Sequence, residues 1–349
     1  MKLYTKEGWL DIPHVVEVAD KNNISFIIII GKRQVGKTYG VLKYMLDSDT
    51  RFMLLRGMKT ELEMLERNVN SPFEKIKGYE GKIIFSKDSE YTANIKRLDD
   101  SGDNDTYVNI GMGAALSSIG RIRGFNGDIY TDIVYDEFIP ESHLLKVRHA
   151  GDAFTNMYTT VSGNRELEGR PPLRVWLLAN SNNLDNEILD TLQITDTIER
   201  MSLKGTESAI FPDRGIMILL PDSTVITQKR KQTALFRAID PDSKFARMAY
   251  GNEFAYNDYS DVSNKPLQEY RALFAFNDCV LHLHKNDKSI YITSRYGANC
   301  NKTFTNSDYD KMIARRNYPE LKIAYLDGRI TFQNMTVKNK FLNYFEFDN

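Results

Sequence analysis

Eight consecutive residues carry the most specific chemistry in the chain: Gly31, Lys32, Arg33, Gln34, Val35, Gly36, Lys37 and Thr38. They match G-x-x-x-x-G-K-[ST] at every fixed position. Glycines at both ends of the loop let backbone N–H groups turn inward. With the N-terminus of a following helix, those donors can hold phosphate oxygens. A lysine at position 37 reaches the β- and γ-phosphates, and a hydroxyl at position 38 can bind Mg²⁺. The chemistry is that of a nucleoside triphosphate, with ATP and Mg²⁺ expected.

A second constellation is Asp136-Glu137, after the apolar residues Ile133-Val134-Tyr135. An aspartate at that place holds Mg²⁺ through water. A neighbouring glutamate can take a proton from an attacking water. The pair separates ATPases with a catalytic glutamate from kinases and GTPases. Asp132 interrupts the upstream run. A third candidate is Asn180, which ends the apolar run 174–178 and opens Asn-Ser-Asn-Asn. It can sense the γ-phosphate or the attacking water, or it can belong to an ordinary turn. An ATPase that works as a ring also needs a cation from a neighbouring subunit. Arg165, Arg121, Arg123, Arg56, Lys59 and Arg33 are placed by the sequence near these motifs.

These motifs need elements to carry them. Residues 24–30 (ISFIIII) are apolar on both faces, as in a central parallel strand covered by helices. The spacing predicts a helix over 37–46, a strand over 51–56 and a helix over 59–69. Further strands are expected at 82–85, 106–110, 129–135 and 174–178, with a helix over 150–161. Alternating strands and helices give an α/β fold with a mostly parallel sheet. Texture changes near 205 and again near 270, where 272–276, 280–284 and 290–293 read as a meander, followed by a helix at 308–316. The expected organisation is an ATPase domain at 1–205, a linker or lid at 206–260 and a small α+β domain at 261–349.

Composition limits the alternatives. The 349 residues carry 46 Lys+Arg against 47 Asp+Glu, so contact with nucleic acid has to come from local patches. One such patch is the basic segment 229–237 (KRKQTALFR), which equally suits the solvated face of a linker helix. Two cysteines in a chain of this length point to a reducing compartment. No apolar run is long enough to span a bilayer, and the charged N-terminus has no signal region. An intracellular protein is expected. His282 and His284 share a strand face near Cys279 but lack a second ligand cluster, so no metal site is expected there.

Taken together, GKRQVGKT at 31–38, LLRGMKTEL at 54–62, DIVYDEFIPE at 132–141, NRE at 164–166, LANS at 178–181 and KRKQTALFRAID at 229–240 resemble one family. It is the DNA-packaging ATPases, or encapsidation proteins, of small Picovirinae-type podophages, relatives of terminase large subunits. The resemblance is most specific over 24–185 and is one of texture only in the last hundred residues. It implies an additional-strand, catalytic-glutamate P-loop NTPase that works as a homo-oligomeric ring, expected to be a pentamer. The ring would act in the host cytoplasm, at the portal vertex of a procapsid. There it would drive double-stranded DNA inward, with a packaging RNA where the phage has one. By position, Lys37, Thr38, Asp136 and Glu137 keep the roles argued above. Arg33 would contact or signal the γ-phosphate, and Asn180 would couple. Lys59 and Arg123 would act across the subunit boundary or on DNA, with Arg56 beside them at the nucleotide. Arg165 matches one of the family's two finger arginines, and Gly163 occupies the place of the other. The resemblance also implies a C-terminal ribonuclease H-like domain. A two-metal nuclease needs acids at central strand ends. The run 272–276 has none, so a degenerate domain that binds DNA, portal or RNA without cutting is expected. The competing readings are a helicase or secretion motor, a nucleotide-dependent scaffold, and a packaging enzyme that also cuts DNA.

Overall fold

The apolar run at the front of the motif is the spine of the main sheet. In the computed structural model, strand β1 (Phe26–Gly31) is buried from Ile27 onward on both faces. Ile27 and Ile29 join one apolar cluster with Val41, Leu42 and Met45, while Ile28 and Ile30 are fully buried on the opposite face. The structure describes residues 3–68, 71–99, 106–121, 127–141, 144–181, 184–240, 260–294, 300 and 302–347. The chain divides into two units, Met1–Leu192 with Arg200–Tyr256, and Gln193–Glu199 with Asn257–Asn349.

The first unit runs through α1 (Ile12–Lys21), β1, α2 (Lys37–Asp47), β2 (Phe52–Arg56), α3 (Lys59–Glu66), β3 (Ile83–Lys87), β4 (Thr92–Leu98) and β5 (Tyr107–Ala115). It continues with β6 (Asp132–Asp136), α4 (Ala150–Ser162), β7 (Arg174–Asn180), α5 (Glu187–Thr191), α6 (Thr195–Lys204), β8 (Ser208–Phe211), β9 (Ile216–Leu219), α7 (Thr224–Lys231) and α8 (Ala234–Ala238). The unit boundaries fall inside α6 and just before it. The nine strands form one sheet in the order β3-β4-β5-β2-β6-β7-β1-β9-β8. Its middle, from β5 to β9, is parallel, and β3, β4 and β8 are antiparallel edges. The consequence for the site is that β7 lies between β1 and β6, so the C-terminal ends of β1, β7, β6 and β2 stand side by side.

Two findings differ from the sequence expectation. The stretch expected as a linker or lid, 206–260, supplies β8 and β9, and β9 pairs directly with β1. The strand expected over 129–135 begins only at Asp132, whose buried side chain accepts hydrogen bonds from Trp176 Nε1 at 2.9 Å and Thr131 Oγ1 at 2.9 Å.

The second unit holds a five-stranded sheet in the order β13-β10-β11-β12-β14. Strands β10 (Tyr270–Phe276), β11 (Cys279–His284) and β12 (Ile290–Ser294) are the antiparallel meander. Strand β13 (Thr303–Phe304) runs parallel to β10, and β14 (Ile330–Phe332) runs parallel to β12. Helices α9 (Asp308–Asn317), α10 (Glu320–Leu326) and α11 (Met335–Phe345) complete it. The core is aromatic: Phe276 meets Phe341 at 6.0 Å and Tyr344 at 5.1 Å between ring centroids. His282 is spent on packing, with Nε2 3.0 Å from Thr293 Oγ1. Among the described residues no group of three or more His, Cys, Asp or Glu side chains could hold a metal ion. No helix among them is long and apolar enough to cross a membrane.

Candidate functional site

Parallel α/β sheets bind ligands beyond the carboxyl ends of their strands, and the chemistry of this chain gathers there. Strand β1 ends at Gly31 and runs into the 31–38 loop, and α2 begins at Lys37. The turn between them requires Gly36, whose φ is +89°. Gly31 is required by a close approach. A Cβ there would lie 2.9 Å from Pro221 Cγ and 3.0 Å from the Pro221 carbonyl oxygen.

Lys37 is nearly enclosed. Its Nζ donates to the Gly31 carbonyl at 2.9 Å, the Lys32 carbonyl at 2.7 Å and Asn180 Oδ1 at 3.2 Å. Burial pushes its pKa down to about 7; Asp136 opposes that shift and Arg33 adds to it. Asn180 reaches Lys37 because Gly31 and Asn180 are register partners on β1 and β7. On the next strand, Thr38 Oγ1 donates to Asp136 Oδ1 at 2.7 Å. Arg56, at the tip of β2, spans both acids, 3.2 Å from Asp136 Oδ2 and 3.5 Å from Glu137 Oε2.

Glu137 has φ +57°, a left-handed conformation uncommon outside glycine. Such strain costs about 1–3 kcal/mol and clusters at functional sites. Here it turns the side chain into the cleft beside Asp136. Loss of solvation raises the Glu137 pKa above the ordinary carboxylate value; Arg56 pulls it down and Asp136 pushes it up. A carboxylate that is a stronger base than usual suits proton abstraction.

Gly36, Lys37, Thr38, Asp136, Glu137 and Asn180 line a cleft of about 310 Å³, with Arg33, Gln34, Tyr39 and Ala179 completing the wall. A larger apolar cavity of about 1020 Å³ adjoins it and shares Gln34, Gly36 and Tyr39. Trp9, Leu10 and Pro13 line that cavity, and the Leu10 amide donates to the Val35 carbonyl at 3.2 Å. The sequence reading misses this N-terminal wall. The signal that could have found it is one tryptophan in an otherwise charged leader, ahead of an Asp11-capped helix.

The other predicted residues sit as follows. Arg33 leaves the loop to pair with Glu141. Lys32 turns away from the cleft to Asp222 and Thr227. Lys59 begins α3 and pairs with Glu90 at 3.0 Å, beside the Tyr91 ring. Arg165 is not brought to the cleft. It is 4% exposed, and its Nη2 donates to the Tyr130 carbonyl and, at 3.1 Å, to the Asp128 carbonyl. A guanidinium held by its own backbone is not presented to a neighbour, which removes the geometric ground for making it the first trans-acting candidate. Arg123 lies outside the described residues.

The fold and cleft define a mixed α/β protein with a parallel-sheet core and a polar cleft at its strand ends. That fold is shared along the whole chain with two solved assemblies. The Phi-28 gp11 DNA packaging motor matches with TM-score 0.63 at 15% identity, covering 98% of this chain and 99% of that one. The bacteriophage Phi-29 viral genome packaging motor assembly matches with TM-score 0.61 at 17% identity, covering all of both chains. No protein-family model matches the sequence, and no curated protein matches it closely enough to count as a relative.

Proposed function

We propose that the chain is the ATP-hydrolysing subunit of a phage motor that drives double-stranded DNA into a procapsid through its portal. The observation that carries the reading is the convergence of Lys37, Thr38, Asp136, Glu137 and Asn180 in one cleft. The fold that holds them spans the full length of two packaging motors. The position of β7 between β1 and β6 supports the additional-strand, catalytic-glutamate type of P-loop NTPase. The second unit, with no acid within β10, is the candidate ribonuclease H-like domain without nuclease activity.

In this reading ATP is the substrate. Its phosphates lie along the 31–38 loop, and its base enters the apolar cavity beside Trp9 and Tyr39. Lys37 trades its carbonyl partners for phosphate oxygens. The hydroxyl of Thr38 and the carboxylate of Asp136, already 2.7 Å apart, fit a hard cation that takes oxygen ligands. Mg²⁺ held there would neutralise developing phosphate charge. Glu137 orients the attacking water and accepts its proton, and Arg56 keeps the two acids apart in orientation and charge. Asn180 senses the occupied state through Lys37. A homo-oligomeric ring, a pentamer by resemblance, would supply the trans-acting cation. With Arg165 engaged internally, Arg123 and Lys59 are the remaining candidates. A packaging RNA is a further partner by resemblance alone.

The test is phosphate release by the wild-type protein with and without double-stranded DNA and empty procapsids. Stimulation that requires procapsids supports the motor. Stimulation by DNA alone points to a helicase-like ATPase. No turnover under any condition rejects the enzyme reading.

A further inference from the structure

The 31–38 loop is gripped from outside the cleft at two successive residues. Lys32 is 4% exposed, and its Nζ is held by the Asp222 carboxylate and, at 3.0 Å, by Thr227 Oγ1. One residue on, Arg230 Nη1 donates to the Arg33 carbonyl at 2.9 Å. Thr227 and Arg230 are on α7, and Asp222 lies just before its cap, Ser223. Asp222 is itself fixed, since its amide donates to Tyr4 Oη at 2.6 Å and Glu207 Oε1 at 2.8 Å. The grip bears on the cleft through Lys32, whose carbonyl is 2.7 Å from Lys37 Nζ. None of the three gripping side chains lines the cleft.

We propose that Asp222, Thr227 and Arg230 are positioning residues: they hold the loop in its phosphate-accepting shape, so nucleotide affinity depends on where α7 sits. The inference rests on the reading of this loop as the ATP site. A loop that is already ordered does not draw on binding energy to become so. Losing the grip therefore weakens substrate capture more than it slows turnover of bound ATP. The same contacts run in reverse. A shift of the loop on phosphate binding or release displaces α7.

The experiment measures KM and kcat for ATP, and the melting temperature, of the full-length wild type, Asp222→Asn, Lys32→Met/Asp222→Asn and Arg230→Ala. Asp222→Asn strands a buried ammonium and is expected to lower the melting temperature. The double variant removes the buried charge together with its half-exposed partner, leaves no ammonium without a counter-ion, and should melt normally. All three variants are expected to raise KM about tenfold, or ~1.4 kcal/mol of binding, with kcat within about threefold of wild type. A double variant that recovers wild-type KM together with its melting temperature would show a pair that only supports the fold, and the proposal would fall. Arg230→Ala with wild-type KM would overturn it as well. Where Asp222→Asn does not fold, the other two variants decide. Absence of turnover in the wild type would instead sink the ATP reading and the positioning role with it.

Discussion

Lys37 Nζ, at the start of α2, and Asn180 Oδ1, at the tip of β7, are 3.2 Å apart, because Asn180 is the register partner of Gly31 at the end of β1. The two residues are separated widely in sequence, yet any ligand that draws the ammonium forward removes a partner from the amide. In the ATP reading, Asn180 would therefore register phosphate through Lys37. Asn180→Ala is expected to leave ATP affinity within about threefold and to cut turnover by roughly 10²-fold, the scale for losing one oriented polar group. Equilibrium binding of a fluorescent ATP analogue beside steady-state phosphate release checks this. Equal losses in binding and turnover would reduce Asn180 to a structural cap.

Glu137→Gln keeps the size and cleft position of the side chain but cannot accept the proton. Turnover should fall by about 10²–10⁴-fold while nucleotide still binds. Normal hydrolysis by this variant would mean that another group is the base.

The pH profile gives an independent view of the same acid. With Glu137 as the proposed base, activity needs it ionised and is lost as pH falls through a pKa raised above the ordinary 4.5. Arg56 favours the ionised form, and its removal raises that pKa further. The acid limb of Arg56→Met should therefore move to higher pH, read from kcat/KM across pH 5–8. A limb that stays in place or moves down would separate Arg56 from Glu137 electrostatically.

Lys37 makes a prediction about protons. Burial lowers the Lys37 pKa to about 7, which favours the neutral amine at pH 8, and a triphosphate beside the amine restores the charge. ATP binding at pH 8 should take up protons. Calorimetric titration in HEPES and Tris buffers would show this as a difference in apparent enthalpy. Identical apparent enthalpies in the two buffers would mean that Lys37 is already charged before nucleotide arrives.

Arg165 should behave as part of the fold. Arg165→Ala removes a buried guanidinium from two carbonyls and is expected to cost about 2–3 kcal/mol of stability, with turnover per folded subunit nearly unchanged. A variant that melts normally but loses about 10³-fold or more in activity would restore Arg165 as the cation acting across subunits.

The sequence and the structure agree most closely where local chemistry and local shape coincide. ISFIIII could only be a doubly buried strand, and the glycine-flanked loop after it had a fixed geometry. Asp136 and Glu137 were legible because they close an apolar run. Register was not: nothing local in RVWLLAN says that its strand inserts between β1 and β6, because that choice is made by sheet packing across long separations. Strands β8 and β9 are only four residues each, too short for periodicity to separate them from loop. Helix α1 carried its signals, Asp11 as cap and Ile12, Val15, Val16 and Ala19 as a buried stripe. Arg165 shows the opposite limit. A motif places an arginine in the sequence, but burial decides whether its charge faces a neighbour or its own backbone.

The pairing of β1 also has a consequence during synthesis. Its two sheet partners, β7 and β9, lie far downstream, and the ladder to β9 runs to Leu219. With translation at about 5–20 residues per second, the Phe26–Gly31 segment waits roughly 10–40 s on the ribosome before both of its edges can be filled. Through that interval an aggregation-prone isoleucine run has open hydrogen-bonding edges. An apolar run left open for so long is the kind of segment that a holding chaperone covers.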